Sequence, residues 1–369
     1  MFLTPEKKRS RKFDEVIALL DGAGHRTDSG AVVSNYTAVR QSTVWACVRI
    51  IAEIIAQLPI EVHVRKNGGY QIVEDHDLLQ LIGSPNEWQT QHDLMSFLIS
   101  WAEMHGNGYL YKIKDGSGAV RRLIPIEGGD CTPELMEDWR ISYSIGSENG
   151  GINGEFYSDR ILHYRNFGLD GYKGLSTIAC HKEGIGLAMT LEKHASNAYK
   201  NGLQTNKWVE LAGPFADEEK KGLFRKELRK FQGAENAGEI PALNNAKIHE
   251  LNSMSATDAQ YIESRKMQKQ EIASIFGVPL FLLNDTEKST TWGTGLEQIS
   301  RSFVRFSLAP RLNRTSQTLK KELIPERQQL KTKIIFDTDQ FTLGEFKERM
   351  EGYRAGIESG VLNPNMLGS

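Results

Sequence analysis

Residues 256–324 constrain the fold most, because two long helical patterns there bracket a polar loop. The first pattern, ATDAQYIESRKMQKQEIASIF, has Thr257 placed to cap it, Gly277 to end it in a left-handed turn and Pro279 to forbid its continuation. At about 100° per residue, Tyr261, Ile262, Ile272, Ala273 and Phe276 share one arc, and Arg265 and Lys269 project from its middle. Two readings of that basic waist stay open. Either two long side chains snorkel at the edge of a private core, or the helix packs against copies of itself around something wet.

After VPLFLL comes the loop NDTEKSTTWGTG, polar, punctuated by glycine, and carrying one aromatic, Trp292. In the second helix, Leu296, Ile299, Phe303, Phe306, Leu308, Leu312 and Leu319 recur at helical spacing. Pro310 lacks an amide donor and clashes with the preceding turn, so a kink is expected there.

Upstream, Thr43–Leu58 reads as a helix buried on several sides, with Arg49 and Glu53 as an intrahelical pair on its narrow polar stripe. IEVHVR alternates as a strand. A second helix opens with Thr90 and Asp93 in capping-box spacing and closes at Gly106. YLYKIK and VRRLIPI flank Asp115-Gly116-Ser117-Gly118, a hairpin signal, whereas residues 130–160 are weakly patterned. ILHYR is a further strand. Helices mixed with antiparallel hairpins give an α+β class. Helical spacing resumes over 175–201. An insert over 203–254 then reads strand, helix, strand, and KIIFD and a final helix follow the long C-terminal pattern.

Taken in order, RKMQKQEIASIFGVPLFLL, the polar loop and EQISRSFVRFSLAPRLNRTSQTLKKEL resemble the helix, tunnel loop and kinked helix of HK97-type bacteriophage portal proteins. The likeness extends to STVWACVRIIAEIIAQLPIEV, to residues 77–126 and to DRILHYRNFGLDGYKGLSTI, and covers most of Val39 to Asn365. It implies an α+β portal fold: an N-terminal arm (1–40), a wing domain (41–174), a two-helix stem (175–202 and 255–277) and a β-α-β clip (203–254). A tunnel-loop region (278–295), a long kinked wing helix (296–324) and a C-terminal part (325–369) leading toward a reduced or absent crown complete the scheme. The family implies a ring, commonly of twelve subunits, at one capsid vertex of the virion, through which double-stranded DNA is packaged and ejected. The implied partners are other copies of the chain, the large terminase subunit, the head-tail adaptor and the major capsid protein or scaffold, met in the host cytoplasm during assembly.

Candidate residues follow from the same likeness. In the tunnel loop, Asn284, Lys288, Thr290, Thr291 and Trp292 would meet DNA through weak contacts without base readout; Trp292 packed on its own subunit is the alternative. On the stem, Arg265 and Lys269 would face the lumen, or pair with carboxylates such as Glu263 and Glu271 of the next subunit, with Lys266 beside them. On the clip helix, Lys220, Lys221, Arg225, Lys226, Arg229 and Lys230 follow an acidic start, which complements the helix dipole or presents a basic face to motor or adaptor. A non-ring adaptor that binds a partner through residues 203–254 is the rival function. A prophage or gene-transfer-particle portal would be physically the same object.

Composition narrows the field. Forty-five Lys and Arg against 47 Asp and Glu give a net charge of −2, against a tight static nucleic-acid binder yet compatible with a channel through which DNA slides. Cys47, Cys131 and Cys180 are far apart, which points to a reducing compartment. Val44–Leu58 is too short and too charged to span a membrane, and KKRSRK at 7–12 leads into no signal-peptide core. The basic run is a solvated arm or a contact for DNA or capsid. No histidine pair has zincin spacing, no P-loop or acyl-transfer elbow occurs, and GIGLAM follows no strand. Neither a cofactor nor an enzyme activity is expected.

Overall fold

The sheets are built from antiparallel hairpins, and helices anchor them. The computed structural model describes residues 25–66, 68–146, 151–200, 207–211, 219, 221–223, 226, 246–250, 254–285, 294–338, 354 and 357–359. Along these residues come β1 (His25–Arg26), β2 (Val32–Val33), a helical turn at Asn35–Ala38, α1 (Ser42–Gln57), β3 (Ile60–Lys66), β4 (Gly69–Ile72), α2 (Asp77–Gly83) and α3 (Gln91–His105). Then come β5 (Asn107–Lys114), β6 (Val120–Ile126), β7 (Cys131–Leu135), β8 (Ile141–Ile145), β9 (Gly154–Tyr157) and β10 (Ile161–Arg165). A turn at Thr177–Cys180, α4 (Lys182–Lys200), β11 (Lys207–Leu211), β12 (Ala246–Glu250), α5 (Met254–Phe276), α6 (Thr294–Ser302), α7 (Ala309–Leu323) and β13 (Thr332–Phe336) follow. Two compact units share these elements: one takes in Ser34–His181 and the chain from Ala273 onward, the other Gly24–Val33 and Lys182–Ile272.

In the larger unit, three antiparallel sheets have strand orders β13-β3-β4, β10-β5-β6 and β7-β8-β9. Helix α1 starts where the Gln41 side chain accepts from the Val44 amide, and it buries Val44, Cys47, Val48, Ile51, Ala52, Ile55 and Ala56. Arg49 and Glu53 pair at 3.3 Å on its wet side, as their spacing predicts. Thr90 and Asp93 form the reciprocal capping box of α3, and Gly106 ends that helix at φ +83°. Asp115 accepts from the amides of Ser117 and Ala119 and from the Arg121 guanidinium, which closes the β5–β6 hairpin. These bonds hold its carboxyl well below the ordinary carboxylate range, the Ser117 hydroxyl contributing most.

Several expectations shift. The arm expected over residues 1–40 is structured from His25 onward, as the β1–β2 hairpin and a turn capped by Ser34. The weakly patterned stretch 130–160 contains the complete sheet β7-β8-β9. Helix α5 begins at Met254, so Thr257 lies within its first turns and does not cap it. The helix expected over 175–202 is broken at His181, where a four-residue turn ends and α4 begins. In the 203–254 insert, β11 and β12 pair antiparallel, and Glu219, Lys221–Leu223 and Lys226 are helical.

Asn107 joins the elements of the larger unit. Its side-chain amide donates to the Gly174 carbonyl at 2.9 Å, and its Oδ1 accepts from the Gly174 amide at 2.7 Å and from His163 Nε2 at 2.9 Å. That acceptor assigns the His163 proton to Nε2, and the other ring nitrogen accepts from the Tyr143 hydroxyl at 3.2 Å. Burial first, then the charges of Arg165, His105 and Lys321, hold the His163 pKa well below 6.5. The folded ring is neutral, while the unfolded chain takes up a proton below about pH 6.5. Stability should therefore be lost as pH falls below that value, by up to about 1.4 kcal/mol per pH unit while the folded ring refuses the proton. Urea unfolding from about pH 7.5 to about pH 5 checks this, and His163→Gln should flatten the slope. Identical slopes would show that acid sensitivity arises elsewhere.

Candidate functional site

Helices α4 and α5 run antiparallel in the smaller unit, and their sequences contain the reasons for close approach. Tyr261 donates its hydroxyl to the Leu191 carbonyl at 3.0 Å, and Arg265 lies 3.6 Å from Glu192. Where α4 has Gly184, a Cβ would stand 2.9 Å from Glu271 Oε1, so the glycine opens the space that this carboxylate occupies. Gly186 does the same for Thr27 of the β1–β2 turn, whose Cγ2 lies 2.6 Å from the Cβ position. The small-residue stretch GIGLAM is therefore a contact surface for its neighbours. Gly186→Ala should cost about 1–3 kcal/mol through overpacking against a branched side chain, read as a lowered melting temperature.

The apolar arc expected along α5 is only partly used. Ile272, Ala273 and Phe276 are buried, whereas Ile262 is 57% and Met267 62% exposed. Leu187 on α4 is also exposed. Arg265 and Glu192 are both partly exposed and belong to the same chain, so Arg265 has an internal partner, which the sequence had left open. An exposed pair of this kind contributes roughly 0.2–1 kcal/mol. Glu271 accepts from Gln268 at 3.2 Å, Glu263 and Lys266 are exposed, and Lys269 is half-buried.

Helix α5 ends as its sequence dictates. Gly277 takes φ +68°, Val278 donates back to the Ala273 carbonyl at 2.9 Å, and a tight turn over Leu280–Leu283 stops at Asn284 with φ 57°. The carbonyls left over at this end are captured from the following helix: Ser307 donates to Gly277 at 2.7 Å and Arg311 to Phe276 at 3.0 Å. Arg311 also grips Glu103 of α3 with two bonds, 2.7 and 2.9 Å, and donates to the Ser307 carbonyl at 2.8 Å. Glu103 is 2% exposed.

Where a kink is expected at Pro310, the irregularity that the structure shows lies just before the proline. Residues Phe303–Leu308 form a π-helical turn between α6 and α7, closed by the Ala309 amide on the Val304 carbonyl. Pro310 sits just beyond it in the first turn of α7, where a missing donor costs little. One extra residue in the turn rotates everything after it, so the buried line runs Phe303, Leu308, Leu312, Thr315, Leu319. Phe306, placed on the stripe by simple helical spacing, is 72% exposed, and Ile299 is also exposed.

Both ends of the polar loop are thus fixed. Asn284 closes one side and α6 opens the other, while Lys288, Thr290, Thr291 and Trp292 lie outside the described residues. On the insert, Lys221 and Lys226 are helical and Lys226 is exposed; Lys220, Arg225, Arg229 and Lys230 lie outside the described residues. Among the described residues, no group of three His, Cys, Asp or Glu could hold a metal ion, and no helix is long and apolar enough to cross a membrane. Sequence reasoning missed the Glu103–Arg311 clamp and the Asn107 hub. Their members are 208 and 67 residues apart, and no local pattern signals such partners.

Comparison with known proteins gives a consistent result. The profile of the Phage portal protein family matches residues 42–366. A probable portal protein of Streptomyces phage phiC31 is 28% identical over 349 residues, covering 90% of this chain and 74% of that one. The portal protein of Enterobacteria phage HK97 is 26% identical over 330 residues, covering 88% and 77%. The neck of a native gene transfer agent particle, computed with C12 symmetry, contains a chain of the same fold at TM-score 0.59 and 21% identity, with 94% of each chain covered.

Proposed function

The chain belongs to the phage portal protein family, and we propose from that membership that it closes into a homo-oligomeric ring at one vertex of a capsid. The observation that carries the reading is the family match across residues 42–366, nearly the whole chain. The fold shared with a neck particle of C12 symmetry supports a ring. So do the exposed Ile262, Met267 and Leu187 on the paired helices, because such side chains suit packing on further copies. Each subunit then presents one surface to the next and a different surface to the previous one, a heterologous contact that closes by rotation.

Within this reading the larger unit is the wing, α4 and α5 are the stem, and the β11–β12 insert is the clip. The loop after Asn284 lines the channel, where Lys288, Thr290, Thr291 and Trp292 touch double-stranded DNA weakly enough to let it slide. The basic clip residues, Lys220 through Lys230, meet the large terminase subunit and later the head-tail adaptor. Subunits gather in the host cytoplasm, on capsid protein or scaffold. The chain supplies a conduit, and the energy for packaging comes from another protein.

Light scattering with negative-stain images of the same peak tests this. A species near twelve times 41.5 kDa with a central hole is expected, whereas a monomer under all assembly conditions would overturn the ring and favour an adaptor. Because Arg265 already has a partner in its own chain, Arg265→Ala should leave the melting temperature within about 1–2 °C of the parent. A large loss of ring mass in that variant would assign Arg265 a second partner in the neighbouring subunit.

A further inference from the structure

Beyond the stem and loop, the larger unit has a cleft of about 300 Å³ lined by Arg165, Lys173, Arg314 and Lys321, together with Asn166, Gln317 and Thr318. The topology explains the convergence. Arg165 ends β10, Asn166–Lys173 form the loop that follows, and Arg314, Gln317, Thr318 and Lys321 lie at i, i+3, i+4 and i+7 on one face of α7. Among the described residues, no carboxylate lines the cleft. Asp170, the one acid of that loop, turns Oδ1 onto the amides of Tyr172 and Lys173, and Glu322, beside Lys321 in sequence, is held by buried Lys112 at 3.0 Å. Burial is the main reason that the neighbouring His163 has a lowered pKa, and the charges of Arg165, His105 and Lys321 act in the same direction.

Two of the four cations are held in place before any ligand arrives. Arg165 donates to the Gly171 carbonyl at 3.0 Å and Arg314 to Asn166 Oδ1 at 2.7 Å. Planar guanidinium forks suit phosphate oxygens, and the Thr318 hydroxyl and Gln317 amide add neutral donors. The volume reaches the lower end of the roughly 300–1,000 Å³ occupied by small-ligand sites, more room than one isolated oxyanion needs. Phe167 and Leu169, in the same loop, are 66% and 62% exposed, apolar side chains of the kind on which bases stack.

We propose that this cleft binds phosphoryl groups, contributed either by a nucleotide or by the backbone of a nucleic acid passing over the wing. The site belongs to the single subunit and does not depend on ring closure, so it can be tested whether or not the ring reading holds.

The test titrates the purified chain with inorganic phosphate and ADP by calorimetry, and with a short fluorescein-labelled DNA duplex by anisotropy. It compares the parent, a Lys173→Ala/Lys321→Ala variant, and an Arg49→Ala/Lys333→Ala variant that loses the same charge elsewhere. Matched melting curves establish that all three are folded. The cleft variant should bind at least about tenfold more weakly, and its salt slope for duplex between about 50 and 200 mM should fall by about 2, one for each cation removed. Duplex binding well above ADP at equal salt assigns the nucleic-acid backbone as the source, and the reverse assigns a nucleotide; either supports the site. Absence of binding by the parent to all probes, or an equal loss in the control variant, would overturn it.

Discussion

Glu103→Leu is expected to destabilise the larger unit by about 3–5 kcal/mol, because it leaves the Arg311 guanidinium charged, largely buried and without its counter-ion. Arg311 cannot turn to water without also releasing the carbonyls of Phe276 and Ser307, so the cost is not recovered by rotation. Arg311→Met should cost a similar amount and expose the end of α5, whose last carbonyls lose a donor. In the double variant Glu103→Leu/Arg311→Met no stranded charge remains, and it should be more stable than the sum of the single changes requires, with a coupling of about 2–3 kcal/mol. Urea unfolding of the four proteins measures this directly. Additivity within about 0.5 kcal/mol would mean that the two residues act independently.

Gly106→Ala should be comparably severe. The residue ends α3 at φ +83°, and a Cβ there would lie 2.3 Å from the Leu175 carbonyl oxygen and 2.8 Å from the Gly174 carbonyl carbon. On the opposite side, a Cβ at Gly174 would meet the Gly106 oxygen at 2.0 Å. Two backbones cross here without side chains, and the contact atoms are main chain that cannot swing away. Left-handed strain plus forced separation should cost about 3 kcal/mol or more, a fall in melting temperature of about 6–12 °C. A change below about 2 °C would show that the crossing is slack.

The two expected results also separate what was legible in the sequence from what was not. The end of α3 at Gly106 and the end of α5 at Gly277 could be read, because each depends on a few adjacent residues and a glycine after a periodic run. The Thr90–Asp93 cap and the β5–β6 hairpin were readable for the same reason. What could not be read was why Gly106 tolerates no side chain, since the atoms in its way belong to Gly174 and Leu175. The same holds for Arg311, which looks in sequence like one more base on an amphipathic helix. The π-turn at Phe303–Leu308 was hidden differently: helical periodicity assumes a constant phase, which the extra residue of a π-turn shifts, and Pro310 drew attention to the wrong turn. In the candidate site, the helical character of α4 and α5 and the end of α5 were legible. The partner of Arg265 was not, because Glu192 is on the other helix. The basic cleft escaped because its cations come from two stretches of chain far apart in sequence, and each looks like ordinary surface.

The pairing of β3 with β13 has a consequence for how the protein is made. Ile60 faces Phe336 across this ladder, so one edge of β3 has no partner until the ribosome has reached Thr332–Phe336. At roughly 5–20 residues per second that wait lasts about 15–50 s. For that interval the nascent chain displays a strand edge with its amides and carbonyls uncovered, the part of a sheet most prone to pair with another copy. The chain therefore passes, on every round of synthesis, through a period when pairing with another copy at this edge would compete with folding, and its yield should be set by how well that edge is shielded before Thr332–Phe336 arrives.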